Sequence, residues 1–213
     1  MPTASGRSLD MVDTPAEQID FRDLAWSLSR LPRCNANTPG KNIVSIAQHQ
    51  VWGCDTLYRE TGDRLTAAAF LLHDGHEFAI GDMTTPTLDA VTVYSRRLFC
   101  LAPDVVVRDS FHALKANFDR AIYAAAGLPW PLDAARAEAV RSMDLRVLRA
   151  ERDWLYAVPP RLWAPEVEFA IPADHFGGFF NWAWPQAKAL TVFCERLQAF
   201  CPALADFTWR GPL

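Results

Sequence analysis

The sequence predicts an all-α protein, a bundle of about six to eight helices. Helix-start signals recur ahead of apolar segments: Ser45 with Gln48 three residues on, then Asp63 and Asp133. Apolar residues return at helical spacing, as in Leu24, Ala25 and Leu28. Strand signals are weak, with residues 87–93 the one β-rich stretch, and no internal repeat is visible.

Residues 1–15 are small, polar and Pro-containing and read as a flexible arm ahead of one domain, 16–213. A first helix is expected over 20–31. Pro32 ends it, because the residue before proline is steered out of helical angles. Asn35, Asn37, Pro39 and Gly40 make 33–42 a loop. Ser45 and Gln48 form the pattern of a capping box, in which each side chain satisfies the other's orphan backbone donor, and the helix runs to about Glu60. Asp63 caps a short helix over 64–74, with Gly75 as its stop. Residues 76–86 form a compact polar stretch punctuated by Gly81 and Pro86. Helices follow at about 86–99, 103–126 and 133–156. Residues 158–185 are irregular, with five prolines and the aromatics Phe176, Phe179, Phe180 and Trp182. A segment of that length wraps the body or covers a site. A last helix spans about 185–200.

With 213 residues, half of them hydrophobic and 22% charged, the chain has ordinary globular composition. A chain of this size buries roughly 70% of its surface on folding and needs no covalent staples. Lys and Arg number 21 against 25 Asp and Glu, a net charge of −4, which disfavours non-specific binding to duplex nucleic acid. Five cysteines (34, 54, 100, 194 and 201) with no Cys-x-x-Cys spacing argue against a disulfide framework and a cysteine-ligated zinc. The start has no apolar signal core, and the longest apolar run, 67–72, is far short of the ~20 residues that span a membrane. The expectation is a cytoplasmic protein with no membrane partner. The tryptophans lie in different segments without interleaved basic residues and are expected mostly in the core or at a subunit interface.

A few polar residues resist this plain picture. His49 falls in the apolar stripe of Ile46, Gly53 and Leu57. Asp144 interrupts the face of Ala137, Val140, Val147 and Leu148. His73 and Asp74 end the most apolar helix. Each has an ordinary alternative: a satisfied core histidine, a carboxylate paired with Arg141 or Arg146, an imidazolium at a helix C-terminus. Together, two imidazoles and two carboxylates on three apolar faces have one shared solution, a divalent cation with mixed N and O ligands.

Ser45-Ile46-Ala47-Gln48-His49, then Leu72-His73-Asp74-Gly75-His76-Glu77, Gly81-Asp82, Thr85-Pro86 and Met143-Asp144-Leu145 through Ala150-Glu151, in that order, resemble the HD-domain metal-dependent phosphohydrolases. The likeness is to the bacterial 5′-deoxynucleotidase branch and related phage deoxynucleoside triphosphate hydrolases. It covers a metal-site core of about 31–156, with a weaker echo through the Pro-rich aromatic segment and last helix, 158–213. The resemblance implies a helical domain holding one divalent metal ion (Co, Mn, Fe, Zn or Mg) on His49, His73, Asp74 and Asp144. It implies Glu77 and Asp82 as catalytic residues. Arg33, Asp82, Thr85 and His76 are implied contacts to a nucleotide phosphate and sugar. The expected reaction is removal of the 5′-phosphate from deoxynucleoside monophosphates by a metal-activated water. The alternatives are triphosphate release at the same site and a non-catalytic nucleotide-binding scaffold. Relatives commonly form homodimers or larger homo-oligomers. Two positions depart from the branch: Cys34 replaces an aromatic residue, and Thr87-Leu88-Asp89 lacks a lysine. Both bear on substrate and leave the metal set intact.

Overall fold

A computed structural model describes residues 1–99 and 104–209. Its helices are α1 (Phe21–Leu28), α2 (Ile46–Thr61), α3 (Arg64–Leu72), α4 (Glu77–Ile80), α5 (Thr85–Phe99), α6 (Asp104–Ala126), α7 (Ala134–Trp154), α8 (Pro165–Phe169) and α9 (Gln186–Phe200). Seven of these have eight residues or more, the all-α bundle that the periodicity predicts. Among the described residues the only bridges are the isolated pairs Pro2 with Ser8 and Pro32 with Ser45. No helix among them is long and apolar enough to cross a membrane. Cys100, Pro103 and the last four residues, 210–213, lie outside the described residues.

The side chains of Asp20, Ser45, Asp63 and Asp133 each accept a backbone N–H in the first turn of the helix that follows. The capping box at Ser45 forms by half. Ser45 accepts from Gln48 N, but the Gln48 amide donates to Trp182 O and accepts from Trp184 N, at 2.9 Å each. Gln48 thereby fastens the Pro-rich segment to α2. Phe180 stacks on Trp52 of α2 with centroids 5.1 Å apart, and Trp184 stacks on Phe180 at the same distance. Residues 173–184 are therefore packed against the body, while Val158, Leu162, Phe169 and Ile171 ahead of them are exposed; the whole segment includes α8 and a 3-10 turn at Phe176–Gly178.

The centre of the molecule is α2 against α3, with α7 and α9 packed on both. Residues 67–72 are completely buried. Gly53 makes the approach of α2 to α3 possible, since a Cβ there would lie 2.0 Å from the Phe70 ring. α3 stops at Leu72, two residues short of the expected end, and His73-Asp74-Gly75 form a turn into α4. Gly75 is needed for space, because a Cβ would sit 2.9 Å from Leu72 O and 3.2 Å from Ile122.

Two other expectations change. Residues 1–15 are not a loose arm: Leu9 is buried, and Ser5 donates to both Asp23 carboxylate oxygens, from N at 2.8 Å and from Oγ at 2.7 Å. Asp23 is buried on α1 and needs these donors. Residues 87–93 are helical, within α5. Packing of Leu88 and Thr92, one turn apart, overrides the β-propensity of the stretch.

Candidate metal site

Two helices and one turn bring the four predicted ligands near one another. His49 comes from the first turns of α2, His73 and Asp74 from the turn that follows α3, and Asp144 from the middle of α7. His49 Nε2 lies 3.1 Å from Asp144 Oδ1 and 3.8 Å from Asp74 Oδ2. His73 Nε2 lies 3.2 Å from Asp74 Oδ2 and 3.7 Å from Asp144 Oδ1. His49, His73 and Asp74 present ligand atoms within 4.8 Å of one another. The arginines that offered Asp144 an ordinary explanation are engaged elsewhere, Arg141 with Glu138 and Arg146 with Glu60.

The tautomers follow from the partners. His73 Nδ1 lies 2.7 Å from Phe70 O, a carbonyl that can only accept, so Nδ1 carries the proton. His49 Nδ1 lies 3.0 Å from Glu151 Oε1, again an acceptor when ionised. Both Nε2 atoms are buried and lack a hydrogen-bond partner. With Nδ1 carrying the ring's proton, each Nε2 that faces carboxylate oxygens needs a second proton or a metal cation between them. Ligands about 2.1 Å from one ion stand about 3.0 Å apart at right angles and about 3.4 Å apart in a tetrahedron, close to the four separations above. The His49, His73 and Asp74 donors fit a divalent cation, and Asp144, outside that tight group, approaches it from the two histidines' side.

The electrostatics express the same demand. Burial and Arg33 push the His49 imidazole down, but Glu151 and Asp144 outweigh them and raise it. Burial lowers His73, and Asp74 and Asp144 lift it well above its ordinary value. Burial works against ionisation of Asp74, yet His73 and Arg33 hold it well below the usual carboxylate range. Asp144, whose side chain is partly exposed, is likewise lowered by the two histidines against its desolvation. Glu77 is the exception: burial and the neighbouring Asp74 push its carboxyl up to about 9.

Glu151 is the residue that sequence reasoning passed over. It lies in the matching stretch Ala150-Glu151, where the sequence pattern assigns it no role. It is fully buried, holds His49 Nδ1 and lies 3.5 Å from Arg33 Nη2. Burial alone would raise its carboxyl, and Arg33 and His49 keep it below its ordinary value. A signal was available: Glu151 follows Asp144 by seven residues, two helical turns, and so shares its face.

The remaining candidates are placed as follows. Arg33 is buried with its guanidinium turned to Asp74, at 3.4 Å, and to Glu151. It is delivered by a turn in which Cys34, Asn35 and Ala36 have φ of 49°, 55° and 61°. Left-handed backbone is strained by about 1–2 kcal/mol per non-glycine residue. Asp82 steadies that turn by accepting from Cys34 N at 3.1 Å. Glu77 and His76 are buried at the start of α4, and His76 Nδ1 lies 2.8 Å from Asp119 Oδ1 of α6. Thr85 is exposed at the start of α5, outside the buried cluster.

Fold and site together define an all-helical protein with a buried group of histidines and carboxylates able to hold a metal ion. No protein-family model matches the chain. It is similar to an uncharacterized protein of Rhodobacter capsulatus, 29% identical over 152 residues that cover 70% of this chain and 69% of that protein.

Proposed function

We propose that the protein is a metal-dependent phosphohydrolase of the HD-domain type that removes the 5′-phosphate from deoxynucleoside monophosphates. The observation that carries the metal part is the pair of buried Nε2 atoms, each with its Nδ1 held by an acceptor, converging on Asp74 and Asp144. The substrate class rests on the resemblance of the His49, His73-Asp74, Glu77, Asp82 and Asp144 pattern to the deoxynucleotidase branch.

His49, His73, Asp74 and Asp144 would hold the ion. When bound, a divalent cation supplies charge to a phosphoryl oxygen and acidifies a water. Glu151 fixes the His49 ring and its tautomer. Arg33 joins Glu151 to Asp74, so one buried cation keeps both carboxylates in place. Glu77, beside Asp74, is positioned to orient the attacking water or to hold a proton for the leaving oxygen. Asp82 keeps the Arg33 turn against the site. Positioning and charge are most of what phosphoryl transfer needs, so a mildly acidic chain can perform it.

The test strips the protein with chelator, restores Co²⁺, Mn²⁺, Zn²⁺ or Mg²⁺ in turn, and assays phosphate and triphosphate release from a deoxynucleotide panel. Phosphate release from monophosphates is expected. Triphosphate release would identify the triphosphohydrolase alternative, and nucleotide binding without hydrolysis under every metal would identify the scaffold. Asp144→Ala is expected to lose the tightly bound ion and all measurable hydrolysis while circular dichroism stays unchanged. Full metal occupancy in that variant would remove Asp144 from the ligand set.

A further inference from the structure

The metal reading of the His49 site does not account for the burial of three neighbouring residues, His76, Glu77 and Asp119. Glu77 is only 6% exposed, and its Oε2 is buried with no hydrogen-bond partner. His76 is 2% exposed, with Nδ1 occupied by Asp119. A ligand atom of each lies within 4.8 Å of the other and of a ligand atom of Asp74. Asp119 holds one ring nitrogen of His76 as Glu151 holds one of His49. An unpartnered buried carboxylate oxygen is costly without a proton or a cation beside it.

We infer that Asp74, His76 and Glu77 form a second divalent-cation site, joined to the first through the shared carboxylate of Asp74. The proposal rests on the metal reading of the His49 site and adds a second ion to it. The donors are one imidazole nitrogen and two carboxylates, a mixed set that Mn²⁺ or Zn²⁺ accepts with water filling the other positions. Asp119 is a positioning residue that orients His76. Cations bridged by one carboxylate lie about 4 Å apart, as in other two-metal sites. A filled second site makes Glu77 a ligand and takes it out of proton transfer, so its two roles exclude each other.

The test uses the full chain, stripped and titrated with Mn²⁺ alone, by equilibrium dialysis and electron paramagnetic resonance. Two Mn²⁺ per chain are expected, the second weaker. The six-line spectrum of the first should broaden and lose intensity as the second loads beside it. His76→Ala is expected to bind one Mn²⁺ and keep the six-line spectrum. Asp119→Asn, nearly isosteric, guards against a folding defect. It should weaken the second site about 10–100-fold and leave the first unchanged. Saturation at one Mn²⁺ in the unaltered protein, or two in His76→Ala, overturns the second site while the first stands. Failure to bind any Mn²⁺ overturns both.

Discussion

The helices α2 and α5 are nearly equal in length, 16 and 15 residues, and opposite in environment. α2 lies between α3, α7 and α9 and has eleven buried residues, the polar Gln48, His49, Gln50 and Thr56 among them. α5 rests on α6 and, over residues 85–98, buries Leu88 and Thr92, while Tyr94 is 60% and Leu98 72% exposed. A polar side chain on α5 can turn to water. One on α2 has to find its partner inside the protein, and His49 finds Glu151 on one nitrogen and the Asp74–Asp144 pair on the other. An anomaly in sequence therefore carries information only on the enclosed element.

Removing a partner on the enclosed side should have the largest effect. Glu151→Ala takes one of two carboxylate partners from buried Arg33 and the Nδ1 acceptor from buried His49, and is expected to lower stability by ~3 kcal/mol in urea unfolding. Glu151→Gln keeps the shape and should unfold later than the alanine variant, with metal affinity reduced about 10–100-fold. Equal stability of Glu151→Ala and the parent would mean that the buried pair contributes nothing.

Gly53→Ala probes the same helix without touching charge. The new methyl meets the fully buried Phe70 ring, so a penalty of about 1–3 kcal/mol is expected. The roughly 1 kcal/mol by which alanine favours a helix offsets part of it. A raised melting temperature would show that Phe70 moves aside freely.

A smaller effect belongs to Asp63→Ala, which removes the cap of α3 and should cost about 1 kcal/mol at neutral pH. The hydrogen bond from the Thr66 side chain, with the backbone N–H groups of Thr66 and Leu65, holds Asp63 below its ordinary range against slight burial. A depressed carboxyl stabilises fully above the unfolded-state value of about 4 and loses that contribution as pH falls through the lower folded value. The gap between parent and variant should therefore narrow in acid, and a gap that widens there would contradict the assignment. Least of all, Leu98→Lys on the open face of α5 should change stability by no more than about 0.5 kcal/mol.

Much of the helical framework was legible because it is local. The caps at Asp20, Ser45, Asp63 and Asp133 act within one turn of their own helices, and the apolar stripes repeat every three or four residues. His49, His73, Asp74 and Asp144 stood out because each sits on an apolar face. Glu151 did not stand out, since its polar neighbours Arg149 and Arg152 make that part of α7 look solvated. The other omissions are long-range pairings: Ser5 with Asp23, Gln48 with Trp182 and Trp184, His76 with Asp119. Nothing near Ser5 in the chain announces a buried carboxylate eighteen residues away.

The sequence by itself determined where the helices begin, which faces are apolar and which polar residues violate them, because backbone capping and hydrophobic spacing are decided within a few residues. Tertiary structure alone decided that Arg33 is buried between Asp74 and Glu151, that Glu151 governs His49, and that His76 answers to Asp119. Those choices depend on which helices enclose one another, since a buried charge is satisfied by whatever group packing brings within reach.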